Sequence, residues 1–420
     1  MYMLYHLHEL KNAALWPTHM ATEAASALLD AVDADHSGLY GRYMRASTEL
    51  LERNTRIYEK PAFGITHVQR NKAVLAVEEK EHFHKTFCTI KEFSRTATTD
   101  SLNRELKNDP IVLISAPLSG HFATLLRDTA RAVIPFHQTY ITDWNDSKLI
   151  PASNGPFTLE DYVEYTLDFI RSLTQKHAGR RIHIIAVCQP SVPVLMATSL
   201  LALYKENCQP YSITLMGGPI DARINPGKVN TFSTEHSLDW FKKNIISPVP
   251  SYYKGAGRDV CPGFILLGGF MSLNPERHQE AMNKLFQHLV QGDMEGVDMH
   301  RKFYDEYRAV MDVPGEYFLD SIYHSFQNYT LAKGEMTWKD YPITPEAINK
   351  TALMTVEGEL DDISCPGQTL AAHNLCKNIP EHKRKTLLQK GVGHYGIFNG
   401  SRWRNTIQPS IAAFIREQEQ

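Results

Sequence analysis

Apolar positions change their spacing several times along this chain, and each change marks a different kind of element. Ala21 to Val32 is rich in helix formers and Tyr43 to Tyr58 carries spaced apolar residues, so residues 1–60 read as an N-terminal helical segment. From Phe63 to Phe93 the pattern is that of strands. The alternation in His82-Phe83-His84-Lys85-Thr86-Phe87 predicts a half-buried antiparallel pair. Ile111 to Ile114 is a continuous apolar run between Asp109-Pro110 and Ala116-Pro117-Leu118-Ser119-Gly120, which predicts a buried parallel strand entering a loop.

A helix over 122–133 and a strand over 139–143 complete a βαβ unit. Thr158 then caps a helix in which Leu159, Tyr162, Val163, Phe169, Ile170 and Leu173 keep helical spacing. An apolar strand, His183 to Val187, runs directly into an apolar helix, Val194 to Tyr204, and Tyr211 to Met216 reads as the next strand. Strands alternating with helices at this interval specify a mostly parallel sheet with helices on both faces.

Residues 222–345 break that rhythm with aromatic-rich helical stretches, among them Trp240, Phe241, Tyr307, Tyr317 and Tyr323. They predict an inserted helical cap over the C-terminal edge of the sheet. Sheet rhythm resumes at Ala352–Val356 and Thr386–Gln389. The expected organisation is a helical segment at 1–60, an α/β core at 61–221 and 346–420, and a cap at 222–345.

Composition narrows the function classes. The chain has 420 residues, 43% of them hydrophobic, which is ample for a large core. Its 44 basic and 47 acidic side chains leave a net charge of −3, so no electrostatic footprint for nucleic acid exists. No apolar run reaches transmembrane length and the N-terminus lacks the pattern of a secretory signal. The six cysteines, at 88, 188, 208, 261, 365 and 376, form no C-x-x-C pair, which argues against a disulfide framework or zinc site and favours a reducing cytoplasm. Asp33 to Gly38 begins like a calcium loop, but Met44 stands at position 12 where a glutamate is required, so a turn is expected there. His82 and His84 share a strand face, and a solvent-facing role is expected rather than a metal site.

The candidate chemistry sits at three loops. In Ala186-Val187-Cys188-Gln189-Pro190 a strand ends at a cysteine with small residues two places either side and a helix follows, the outline of a nucleophile elbow. Asp361 lies in Val356-Glu357-Gly358-Glu359-Leu360-Asp361-Asp362, and His394 lies in Gly391-Val392-Gly393-His394-Tyr395-Gly396. Both loops follow strands, and the order Cys188, Asp361, His394 is that of nucleophile, acid and base in an α/β-hydrolase. His394 would accept the thiol proton or stabilise a thiolate, and Asp361 would orient the imidazole.

The oxyanion formed at the substrate carbonyl needs donors: the N–H of Gln189 and one from the loop after the 111–114 strand, Leu118 or Ser119. A buried structural role for Cys188, a helix-capping role for Asp361 with Asp362 as the acid, and a pocket or surface position for His121 are the competing readings. Cap aromatics are either core or a surface for an apolar polymer.

These motifs resemble the intracellular poly(3-hydroxybutyrate) depolymerases across essentially the whole chain. The cysteine elbow with Pro190 two places on is the specific mark, whereas the aspartate and histidine loops suit most α/β-hydrolases. The resemblance implies a cytoplasmic enzyme at polyhydroxybutyrate granules that cleaves amorphous polymer through Cys188, Asp361 and His394. It would release 3-hydroxybutyrate and oligomers, with no cofactor except that coenzyme A, in place of water, is a conceivable acyl acceptor. Against a polyhydroxyalkanoate synthase, whose elbow cysteine is glycine-flanked, stand Ala186 and Pro190. The intact triad order argues against a non-catalytic granule-coating protein.

Overall fold

A computed structural model describes residues 3–32 and 38–419; the turn expected at Asp33–Gly38 lies mostly outside them. Nine strands form one sheet: β1 (His67–Arg70), β2 (Ala73–His84), β3 (Cys88–Thr96), β4 (Ile111–Ser115), β5 (Gln138–Trp144), β6 (His183–Val187), β7 (Ser212–Met216), β8 (Ala352–Gly358) and β9 (Arg384–Gln389). Their order is β1-β2-β3-β5-β4-β6-β7-β8-β9. The first three run antiparallel and β3 pairs antiparallel with β5, while every pair from β5 to β9 is parallel.

Strands β4, β6, β7 and β8 are buried at every position. That complete burial follows from helices covering both faces. Successive residues of β6 serve opposite cores: Ile184 and Ala186 pack with Leu195 and Val163, and Ile185 and Val187 pack with Trp403 and Phe414. The strand period of two decides which residue meets which helix layer.

Helix α3 (Leu159–Lys176) begins in a complete capping box between Thr158 and Asp161. Helix α4 (Ser191–Leu203) follows the elbow and is buried along nearly its whole length, so it runs through the core rather than over it.

Two details differ from the sequence pattern. The alternation at 82–87 spans the end of β2 and the turn into β3, because Lys85 and Cys88 exchange backbone hydrogen bonds there. His82 is half-buried against Tyr140 and lies 3.2 Å from the Ser172 hydroxyl, while exposed His84 bonds Thr89. Each imidazole thus has its own local partner.

Between β7 and β8 the chain leaves the sheet to build helices and a small three-stranded sheet. Much of the aromatic content there is core: Phe241, Tyr304, Tyr307 and Tyr317 are buried, whereas Tyr252 and Tyr323 are exposed. Helices α1 (Met3–Ala31) and α2 (Leu39–Thr55) pack on this insertion. Ala46 joins Leu285, Leu289 and Val297 in one cluster, Arg53 pairs with Asp305 at 2.5 Å, and Arg301 pairs with Glu49 at 2.6 Å.

Candidate active site

Three sheet strands deliver three side chains to one point. Val187 ends β6, and Cys188 then adopts φ +68° before α4 begins. A left-handed backbone at a non-glycine residue costs on the order of 1–2 kcal/mol. It reverses the chain sharply enough to lift the thiol out of the sheet. The Cys188 N–H is held by the Met216 carbonyl at 2.6 Å.

Small residues make the turn feasible from the neighbouring strand. Gly217 has φ +56°, and a Cβ there would stand 3.1 Å from the His394 ring and 3.3 Å from Asp361 Oδ2. A Cβ on Gly218 would sit 2.2 Å from Ser191 Cβ and 2.8 Å from the Cys188 carbonyl. Thr369 clamps this loop by donating to the Gly218 carbonyl (2.9 Å) and accepting from its N–H (2.8 Å).

Asp361 follows β8, and its side chain is wholly buried. One carboxylate oxygen accepts from the Ile363 and Ser364 N–H groups, each at 2.9 Å, and the other lies 2.8 Å from His394 Nδ1. The capping and acid readings therefore describe the two halves of one carboxylate. Asp362 makes no such contact and instead lines a cavity with Phe270, Arg277, Phe303 and Tyr395. Glu357, inside β8, accepts from the N–H groups of Gly367, Thr369 and Leu370 at 2.8–3.0 Å, which secures the chain beyond the acid loop.

His394 follows β9 and is buried. Burial works against its charge, but the Asp361 carboxylate and then Cys188, both also hydrogen-bonded to the ring, outweigh it. The imidazole is thereby held well above the usual histidine range. The Asp361 carboxylate at 2.8 Å and the Cys188 sulfur both act on the His394 imidazole and favour its imidazolium form.

The loop after β4 faces the elbow. Leu118 is buried and Ser119 half-buried, and among the described residues the N–H groups of Gln189, Leu118 and Ser119 have no protein acceptor. The insertion holds this loop from outside: Met311 N–H donates to the Gly120 carbonyl at 2.7 Å, and His121 bridges to Val310. His121 is buried, with Nε2 3.1 Å from the Tyr307 carbonyl. Burial pushes it down to about 4 despite that hydrogen bond, and the charge of His394 adds to the effect. A neutral ring follows, tilted against Phe270 and Tyr307 and edge-on to Tyr395.

Sequence reasoning missed Gly217, Gly218, Thr369 and Glu357. The Gly217-Gly218-Pro219 triplet was visible as a strand ending, but its approach to the elbow is a contact between strands. For metal binding, the described residues offer one group of close donors, His19, Glu23 and Glu52. Glu52 is already paired with Arg56 at 2.7 Å.

Strand order, elbow and the Asp361–His394 pair define this protein as an α/β-hydrolase. Residues 217–419 match the family model described as PHB de-polymerase C-terminus, so this region of the chain is similar to the PHB depolymerases. No curated protein sequence matches significantly. Among solved structures, 2-hydroxy-6-oxo-6-phenylhexa-2,4-dienoate hydrolase from Rhodococcus sp. strain RHA1 is 13% identical over 81% of this chain and 100% of its own, with a TM-score of 0.41. The monoacylglycerol lipase of Paleococcus ferrophilus is 11% identical over 74% and 96%, with a TM-score of 0.42. An esterase from Thermogutta terrifontis is 12% identical over 84% and 98%, with a TM-score of 0.39.

Proposed function

We propose that the protein hydrolyses the ester bonds of amorphous poly(3-hydroxybutyrate) by way of a thioester on Cys188. The observation that carries this reading is the cysteine at φ +68° on the elbow, in line with the buried His394–Asp361 pair. Cys188 Sγ attacks an ester carbonyl carbon, and the carbonyl electron pair moves onto oxygen. The N–H of Gln189 and that of Leu118 or Ser119 receive this oxyanion. Its collapse breaks the C–O bond, and the His394 imidazolium gives its proton to the departing hydroxyl end of the polymer.

Neutral His394 then takes a proton from water, which cleaves the 3-hydroxyacyl thioester and frees Cys188. Asp361 keeps Nε2 aimed at sulfur throughout by holding Nδ1. Coenzyme A in place of water would release an acyl-CoA from the same intermediate. The family match over residues 217–419 supports the polymer as substrate, and a polymer stored in cytoplasmic granules would place the enzyme there. No helix among the described residues is long and apolar enough to cross a membrane.

The test is clearing of amorphous poly(3-hydroxybutyrate) granules by wild type and Cys188→Ala, with 3-hydroxybutyrate and its oligomers quantified. Clearing by wild type alone is expected. Equal clearing by Cys188→Ala would eliminate the covalent route, and adsorption without clearing by either would indicate a coating protein.

A further inference from the structure

A buried tyrosine of the insertion has, among the described residues, no hydrogen-bond partner for its hydroxyl. Helix α6 (Gly315–Ser321) packs against α3, placing the Tyr317 ring 5.4 Å from Tyr162 and 6.1 Å from Phe157. Tyr317 is 0% exposed. Among the described residues no group meets hydrogen-bonding geometry with its phenol oxygen. The Ser321 hydroxyl is a polar neighbour that lowers the phenol's pKa, and its own proton goes to the Tyr317 carbonyl at 2.9 Å.

The position of this hydroxyl is particular. Tyr162, beside it, is satisfied by the Ala116 carbonyl at 3.2 Å, at the start of the presumed oxyanion loop. Gln189, which follows the nucleophile, reaches Ser321 at 3.4 Å, so α6 touches the elbow. Gln189 Oε1 is also buried without a donor. Burial pushes Tyr317 far above the usual phenol range, with the charges of Tyr162 and Cys188 among the contributors, so the hydroxyl keeps its proton.

Leaving a buried hydroxyl unpaired costs about 1–3 kcal/mol. An apolar phenylalanine would fill the same volume without that cost. A proton-bearing group left unpaired on a helix that touches the elbow is suited to an acceptor that arrives with the substrate, and the acceptor formed at Cys188 is an ester carbonyl oxygen gaining negative charge.

We propose that the Tyr317 hydroxyl is a side-chain donor to the acyl carbonyl during transfer to Cys188, supplementing the backbone donors of the elbow and the 116–120 loop. The assignment rests on the ester-hydrolase reading and adds that the insertion contributes a catalytic residue. It makes the insertion part of the chemistry as well as part of the surface.

The test compares wild type and Tyr317→Phe in three measurements. The first is the acylation burst with 4-nitrophenyl butyrate, the second is alkylation of Cys188 by iodoacetamide, and the third is thermal unfolding. Alkylation proceeds by displacement at a saturated carbon and forms no oxyanion. Acylation slower by about 10²-fold is expected, in the range for loss of one oxyanion donor. Alkylation should be unchanged and the melting temperature equal or higher.

Equal acylation by the two proteins would overturn the role of Tyr317 while leaving the hydrolase reading standing. A parallel fall in alkylation would also overturn it, because Tyr317 would then be acting on the sulfur. A lower melting temperature together with slower acylation would assign the hydroxyl a structural partner and overturn it. Absence of a burst in wild type would overturn both proposals.

Discussion

Asp361 divides its carboxylate between two tasks: one oxygen holds the Ile363 and Ser364 N–H groups, and the other lies 2.8 Å from His394 Nδ1. The first task anchors the loop and the second holds the His394 imidazole. The neighbouring Asp362 does neither.

The two aspartates should therefore respond differently. Asp361→Asn should retain much of the loop anchoring yet lower kcat by about 10⁴-fold, as loss of the orienting carboxylate does in triad hydrolases. Asp362→Asn should have a small effect. Steady-state hydrolysis of a soluble 3-hydroxybutyrate oligomer by both variants decides the matter; equal losses would mean that the acid is misassigned.

Protonation of His394 sets a pH limit with a definite sign. Its folded-state pKa is raised above the unfolded value by Asp361 and Cys188 acting against burial. Its contribution to stability is thus complete below about pH 6.5 and is lost as pH rises through the folded value. Acylation, which uses the imidazolium as proton donor, should decline over that same alkaline range. In Asp361→Asn the decline should move to lower pH, measurable as burst rate against pH.

Gly217 tolerates no side chain for two separate reasons, φ +56° and the closeness of a Cβ to His394 and Asp361. Gly217→Ala should lose about 1–2 kcal/mol from backbone strain alone. Displacement of the histidine should add a fall in kcat of at least about tenfold. Denaturant unfolding and turnover measured together separate the two effects.

Asp312 supplies a second pH effect, remote from catalysis. Its carboxyl accepts from Gly263 N–H at 2.9 Å and from the Tyr5 hydroxyl, and burial, opposed by the Gly263 bond, pushes it up to about 7. The folded protein therefore holds a proton that the unfolded chain releases near pH 4. Stability should fall as pH rises from about 4 to 7 and then level off. The melting temperature of Asp312→Asn should gain on wild type across that window; parallel curves would refute the assignment.

Much of this protein was determined by local sequence. Largely apolar runs at 111–115, 183–187 and 212–216 specify strands buried on both faces, and the residues between them carry helical spacing. Those patterns report burial directly, so they led to a parallel sheet of the right layers. The small residues around Cys188 likewise announced a tight turn, because turn geometry excludes bulky neighbours.

Tertiary structure decided what depends on groups distant in the chain. Which of two adjacent aspartates meets a histidine 33 residues away is a matter of which side of the loop faces β9, and no local pattern encodes that. The same holds for Gly217 under the triad and for Thr369 clasping Gly218 across 151 residues. Aromatic-rich segments specified that the insertion was apolar, but only packing separated buried Phe241 and Tyr307 from exposed Tyr252 and Tyr323. Tyr317 is the extreme case: its sequence context is that of any core aromatic, and only the fold leaves its hydroxyl without a partner among the described residues, on a helix that touches Gln189. Periodicity records how much of a residue is hidden from water; which partner hides it is fixed when the chain closes on itself.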